Sequence, residues 1–282
     1  MFGKTGQISR EVLRHAGGHE ILALDRTAAD LADPSACASL VRRCDADIIL
    51  NAAAYTAVDR AESEPEIAHL LNAAAPGTMA RAARERGLPF LHVSTDYVFN
   101  GSGNEPWKTG DGTGPINVYG QTKLLGEAEI LASGARAAIL RTSWVFSAHG
   151  SNFVKTILRL GKERSVLNVV DDQVGGPTSA ADIAKTLIRM AEQMISTTAR
   201  LGVYHYAGSP DASWRKFASE IISQASLKTK VTGISSSEYP MPALRPLNSR
   251  LDCERILADF GIVRPDWKIG LTHVLQELGE MA

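Results

Sequence analysis

Short apolar runs that alternate with helix-patterned segments constrain this chain more than any other feature. Residues 47–51 (D-I-I-L-N), 89–94 (P-F-L-H-V-S), 137–142 and 166–170 read as strands, and 34–43, 66–86, 119–131, 153–162 and 180–193 read as the helices between them. Strands with little polar alternation are buried on both faces, which requires a mostly parallel sheet with helices on each side. The expected class is therefore α/β, doubly wound and Rossmann-like. Residues 20–25 (E-I-L-A-L-D) add a strand ending in an acid, and 203–207 add another. Beyond these lie a helix near 214–225, a proline-rich stretch at 239–246 and two closing helices. With 282 residues the chain has room for one large domain or a domain with a satellite. We expect an NAD(P)-binding region over 1–150 and a smaller, mainly substrate-binding region over 151–282, some of whose segments return to the sheet.

Gly3-Lys-Thr-Gly6, followed by a helix pattern from Ile8, has the form of a phosphate-binding turn. Glycines let backbone approach a pyrophosphate, and the helix start offers free N–H groups. The third small position holds Ser9, and only Met1 and Phe2 stand where a central strand should precede the turn. A glycine pair near a chain start is also compatible with a plain turn. The first strand is expected to be truncated, with weak cofactor binding and low stability if that form is the working one; a start assigned too far downstream would account for it. Asp25, about 20 residues on at a strand end, is placed to bind a ribose hydroxyl, and Arg26 beside it could meet a 2′-phosphate. The choice between NADH and NADPH stays open, and Asp25 is equally readable as a surface acid. Ala52-Ala53-Ala54 after the strand at 47–51 would let a cofactor pass, or simply pack.

Tyr119 and Lys123 are four residues apart, about one helical turn, so phenol and ammonium share a face. A phenol titrates near about 10, and a nearby cation would draw it toward the working range. Leu124, Leu125, Ala128 and Leu131 are spaced as the buried stripe of that helix. Alone, such a pair also fits an ordinary amphipathic helix. Thr95, at the end of the strand at 89–94, could hydrogen-bond a substrate carbonyl beside the phenol or cap a turn. Trp144 could wall a pocket or belong to the core. The glycine-rich segment 100–115 reads as a loop that could lie over a site.

Lys and Arg number 30 against 31 Asp and Glu, so no charge excess points to nucleic acid or a membrane surface. Cys37, Cys44 and Cys253 are odd in number and lack metal-ligand spacing, as in a reduced, cytoplasmic protein, and the chain opens on neither a signal peptide nor a membrane span.

Taken in order, Gly3-x-x-Gly6-Gln, N-A-A-A-Y-T at 51–56, S-T-D-Y-V-F at 94–99, N-V-Y-G-Q-T-K at 117–123, R-T-S-W-V-F at 141–146, N-F-V-K at 152–155, D-Q-V-G-G-P-T at 172–178 and R-P-L-N-S-R-L at 245–251 carry a resemblance over essentially the whole chain. The sequence resembles the extended short-chain dehydrogenase/reductases and, within them, the dTDP-4-dehydrorhamnose reductase branch. That resemblance implies reduction of the C4 ketone of dTDP-4-dehydro-β-L-rhamnose by NADH or NADPH, the last step to the activated deoxysugar of bacterial surface polysaccharide such as lipopolysaccharide. It implies Thr95, Tyr119 and Lys123 as the catalytic trio and Gly6, Gln7 and Ile8 as the phosphate turn. Asp25, Asp30 and Leu31 would lie around the adenosine, and Ala53, Ala54 and Tyr55 along the cofactor. Thr95, Asp96 and Trp144 would contact the sugar nucleotide. It also implies a homodimer, in some members with Mg2+ at the interface; Glu11 fits one such glutamate position, and Glu192 and Glu277 are looser candidates. Two rivals remain: a reductase-like regulatory subunit without turnover, which the intact trio disfavours, and a nucleotide-sugar epimerase or dehydratase. A dehydratase would carry Asp-Glu after the strand-end threonine, where this chain has Asp96-Tyr97.

Overall fold

The computed structural model describes residues 1–196 and 201–281. Its main sheet holds β1 (Ile49–Asn51), β2 (Phe90–Thr95), β3 (Ala137–Thr142) and β4 (Gly202–His205), all parallel and in that order. Ala137–Thr142 is buried at every position, which is why it carries no polar alternation.

On the other side of β1 the sheet continues through single rungs. Phe2 bridges Asn51 on one side and Leu24 on the other, both parallel. Its N–H donates to Leu50 O at 2.8 Å, and its carbonyl accepts from Ala52 N at 3.1 Å. Leu24 N donates to Met1 O, and Gly3 N to Leu24 O, both at 2.9 Å. In chain order the ladder is thus second, first, third, fourth, fifth, sixth, and the order reverses between Phe2 and β1. The strand expected over 20–25 is reduced to the Leu24 rung, because its partner strand is itself only Met1 and Phe2. Phe2, 2% exposed, packs in a cluster with Ile49, Leu31, Ala29 and Phe90. Phe2→Ala is expected to cost about 3–5 kcal/mol of unfolding free energy; a urea titration with an unchanged midpoint would refute that anchoring role.

Helix α1 (Gln7–Arg14) lies against the long helix Ala180–Ser196, and helices Pro34–Arg43 and Ala75–Glu85 pack together beneath the other face. The helix carrying Tyr119 and Lys123, α2, spans Val118–Ala132. Its expected apolar stripe is not its buried face: Leu125 and Leu131 are about half exposed, whereas Gly120, Lys123, Gly126, Glu127 and Ile130 are buried. The reason is close approach. A Cβ on Gly126 would stand 2.0 Å from Asn72 O and one on Gly120 2.1 Å from Tyr97 O, so the glycine side of the helix is the side that fits. A separate cluster, with Phe146, Phe217, Ile221, Trp267 and Leu271, forms the core of the C-terminal part beside the parallel pair Val166–Val170 and Lys230–Ile234. No helix among the described residues is long and apolar enough to cross a membrane.

Candidate active site

Open α/β sheets bind ligands beyond the carboxyl ends of strands where the order reverses, here above Phe2 and β1. Gly3 lies at that point with φ +95°, and a Cβ there would meet Ser9 Oγ at 2.9 Å and Ala53 N at 3.2 Å. Gly6 caps α1 without a side-chain hydrogen bond, so the first-turn N–H groups that begin at Gln7 and Ile8 are left for an anion. Ser9 Oγ is buried and unpartnered there. These features fit a dinucleotide pyrophosphate. Asp25 caps its own turn through Oδ1, accepting from Thr27 N and Ala28 N. Arg26 is largely exposed and 3.5 Å from Asp30; Leu31 is buried beneath them. Ala53 and Ala54 line the loop after β1, while Tyr55 is tied back, its hydroxyl donating to Glu64 at 2.5 Å. Gln7 faces elsewhere: its Oε1 accepts from Ser147 Oγ and Asn152 Nδ2, joining α1 to the segment after β3.

Thr95 ends β2, and its Oγ1 accepts from Tyr97 N at 3.2 Å and donates to Asp96 Oδ1 at 3.1 Å. Asn117 caps α2 by accepting from Gly120 N at 2.7 Å and donates to Leu244 O, which fixes Tyr119 in the first turn. The Tyr119 hydroxyl lies beside Thr95, which acts on it electrostatically, and its ring meets Tyr97 edge-on at 5.7 Å. Thr95 and Tyr119 can therefore grip one carbonyl oxygen. Burial pushes the Tyr119 phenol up to about 12, with Thr95 pulling down and the Asp96 charge pushing up.

The expected effect of Lys123 on that phenol is not what the structure shows. Lys123 is 1% exposed and reaches inward, its Nζ at 2.7 Å from Val93 O and 3.0 Å from His92 Nε2, and it is not among the groups that shift Tyr119. The spacing puts both residues on one helical face, but a long side chain on a helix held this close to a sheet finds the strand's carbonyl first. Desolvation draws Lys123 down to about 8 against the pull of Glu127. His92, which desolvation and Lys123 hold well below the usual imidazole range, contacts Asn51 Nδ2 at 3.1 Å, and Asn51 Oδ1 accepts from Ala53 N. Lys123 is thus wired to the loop after β1 through His92 and Asn51. The sequence signal for this was His92 within β2 and Asn51 at the end of β1.

The C-terminal half closes the site. Trp144 has a left-handed backbone, φ 49°, unusual for a bulky residue and a mark of local strain. Its ring stacks on Trp214 at 3.6 Å, and Trp214 Nε1 donates to Gln173 Oε1 at 3.1 Å. A Cβ on Gly175 would touch both Ser249 and Trp144 at 3.0 Å, and Ser249 lies near enough to Asp96 to pull its carboxyl down. Trp144, Gly175, Ser249, Asp96, Thr95 and Tyr119 therefore share one neighbourhood. Trp214 and Ser249 lie outside the sequence-derived candidates, since nothing local separates them from a helix start and a strand end.

The glutamates considered for magnesium do not assemble as three. Glu11 and Glu277 approach His149, at 3.1 and 3.9 Å, but Glu192 pairs with His19 outside that cluster. Arg14 engages Glu277 at 2.5 Å and lies 3.6 Å from Glu11, and His15 is 3.4 Å from Glu11. Magnesium takes oxygen donors in an open octahedron; two carboxylates already engaged by an arginine and two histidines do not fit it.

Residues 1–280 match the family described as the RmlD substrate binding domain. The dTDP-4-dehydrorhamnose reductase of Sinorhizobium fredii is 45% identical over 273 residues, covering 94% of this chain and 92% of that protein. A crystal structure of a dTDP-4-dehydrorhamnose reductase from Clostridium acetobutylicum superposes with TM-score 0.93 at 34% identity, over 99% of this chain and 98% of that one. The Bacillus anthracis dTDP-4-dehydrorhamnose reductase in complex with NADP superposes with TM-score 0.90 at 34% identity, over 98% and 97%. Full-length agreement in sequence and fold places the chain beside these reductases, and it belongs to the RmlD family.

Proposed function

We infer that the chain is an NAD(P)H-dependent oxidoreductase that reduces the C4 ketone of dTDP-4-dehydro-β-L-rhamnose to dTDP-L-rhamnose. The observation that carries the reading is the Tyr119 hydroxyl beside Thr95 at the carboxyl end of β2, next to the order reversal that Gly3, Gly6 and Ala53 line. Bound NAD(P)H supplies the hydride. The chain's residues do the rest: Tyr119 gives its proton to the C4 oxygen as charge builds there, and Thr95 donates a hydrogen bond to the same atom. Gly6, Gln7 and Ile8 present backbone N–H groups to the pyrophosphate. Asp25, Arg26, Asp30 and Leu31 hold the adenosine end, and Ala53, Ala54 and Tyr55 flank the cofactor. Lys123, through His92 and Asn51, sets the position of that loop. Asp96 and Trp144, with Trp214 stacked behind, receive the sugar nucleotide.

Residues 1–150 would then bind cofactor and 151–282 mainly substrate, with Ala180–Ser196 and β4 returning to the sheet. A homodimer in the cytoplasm is the proposed working form; the three free cysteines are compatible with a reducing compartment, and light scattering measures the mass. The test of function is direct. The protein is mixed with dTDP-4-dehydrorhamnose and absorbance loss is followed with NADH and NADPH separately; no oxidation of either would sink the reading, and the faster one sets the preference.

A further inference from the structure

A chain of hydrogen bonds runs from the loop after β1 to α2, and its direction is set by the end that is fixed. The Ala53 backbone N–H can only donate, and it meets Asn51 Oδ1 at 3.1 Å. That contact turns the donor side of the carboxamide, Nδ2, toward His92 Nδ1 at 3.1 Å. Nδ1 must then accept, so the one proton of the neutral imidazole sits on Nε2. Nε2 lies 3.0 Å from Lys123 Nζ, and Nζ already donates to Val93 O at 2.7 Å. An ammonium group has donors only, whereas an amine keeps a lone pair that can accept the Nε2 proton. Asn51 and His92 are fully buried and Lys123 is 1% exposed, so two facing donors would have no solvent to turn to.

We propose that His92 is a positioning residue that holds Lys123 as an uncharged amine, and that Lys123 gains a proton only when the Asn51 carboxamide turns over and releases Ala53 N–H. The charge of Lys123 and the geometry of the loop after β1 then change together. The hydrogen bonds carry the placement of the protons; its bearing on turnover rests on the reductase reading. The groups packed around the amine leave this direction in place. Burial draws Lys123 down to about 8, and Glu127, one turn along α2, pulls the other way. Glu127 is itself taken up by Arg141 of β3. Asp96, in the turn after β2, raises Tyr119 but is not among the groups that act on Lys123. The segment Leu70–Ala74, packed on the same helix, brings the uncharged Asn72. A group that is to donate a proton must hold one: an uncharged amine leaves the Tyr119 phenol protonated, where a cation would draw it down.

The imidazole tautomer reports the outcome without any assay of activity. A long-range hydrogen–nitrogen correlation spectrum of the full chain at neutral pH, with the His92 signals identified by their loss in His92→Leu, should show a bare Nδ1 and a protonated Nε2. Asn51→Asp is the decisive change. The new carboxylate still accepts from Ala53 N but has no proton to give, so Nδ1 must carry one, Nε2 becomes the acceptor and Lys123 becomes an ammonium with every group satisfied. That variant should reverse the tautomer and raise the pH at which Lys123 titrates by at least about one unit, followed through the carbon signal of its ε-methylene. On the reductase reading, His92→Leu should also lower kcat by up to about a hundredfold, and the spectra of the wild type and of Asn51→Asp keep the test open if that variant folds poorly. A wild-type His92 protonated at Nδ1 overturns the proposal, and so does an unchanged tautomer in Asn51→Asp. Normal turnover by a folded His92→Leu variant takes His92 out of the positioning role. Absence of any wild-type reduction is a different result: it removes the reductase reading, and the tautomer still decides how Lys123 is held.

Discussion

Tyr119→Phe is expected to lower kcat by about 10²–10⁴-fold while NADPH still binds. The ring would keep its edge-on packing against Tyr97, so the helix start has no reason to move. Only one hydroxyl is lost, at roughly 1 kcal/mol of stability or less. Reduction of the ketone without a proton for the new alkoxide leaves charge in a site whose nearest carboxyl, Asp96, is itself buried. Thr95 alone can hydrogen-bond that oxygen but is no acid. Steady-state reduction and cofactor titration by fluorescence separate the two effects. Near-normal turnover would remove Tyr119 from the chemistry, and loss of cofactor binding would mean that the ring, not the hydroxyl, was what mattered.

The parts of the fold that depend on one segment's own pattern were legible in the sequence. The fully buried strand Ala137–Thr142 and the helices Pro34–Arg43 and Phe153–Glu163 follow from apolar periodicity, and Asp33, Asn117 and Asn152 cap the helices they precede. The resemblance carried by the motifs also implied that Thr95, Tyr119 and the glycine turn serve one site. What was not legible depends on approach between distant segments. The buried side of α2 is set by Asn72 O and Tyr97 O against Gly126 and Gly120, so spacing of leucines pointed to the wrong face. The direction taken by Lys123 is decided by Val93 O and His92 on another strand. Trp214 and Ser249 reach the site only because the C-terminal segments fold back over it. Each of these depends on a distance between chains of atoms far apart in sequence, which periodicity does not encode.

The same close docking makes Glu127 a side chain whose loss should cost much of the stability. Glu127, 2% exposed on α2, receives Arg141 of β3 through Nε at 2.9 Å and Nη2 at 2.5 Å, and also accepts from Ser94. Arg141 is 4% exposed and lies over the Phe99 ring at 5.1 Å. Glu127→Ala would leave that guanidinium buried with no anion. His205, 3.5 Å away, cannot replace it, because burial and Arg141 hold its imidazole down to about 3 and it stays neutral. Breaking one side of such a pair costs about 3–5 kcal/mol, a fall in Tm on the order of 10 °C for a chain of this size. Lys123 would also lose the carboxylate that holds its pKa up. Removing both charges is a different matter, since neither ion then pays desolvation: Glu127→Met with Arg141→Met should recover most of the loss. The double-mutant cycle by chemical denaturation measures this coupling. Single-variant losses that simply add in the double variant would mean that the two groups stabilise the fold separately, and that the pair does not clamp the tyrosine helix to the sheet.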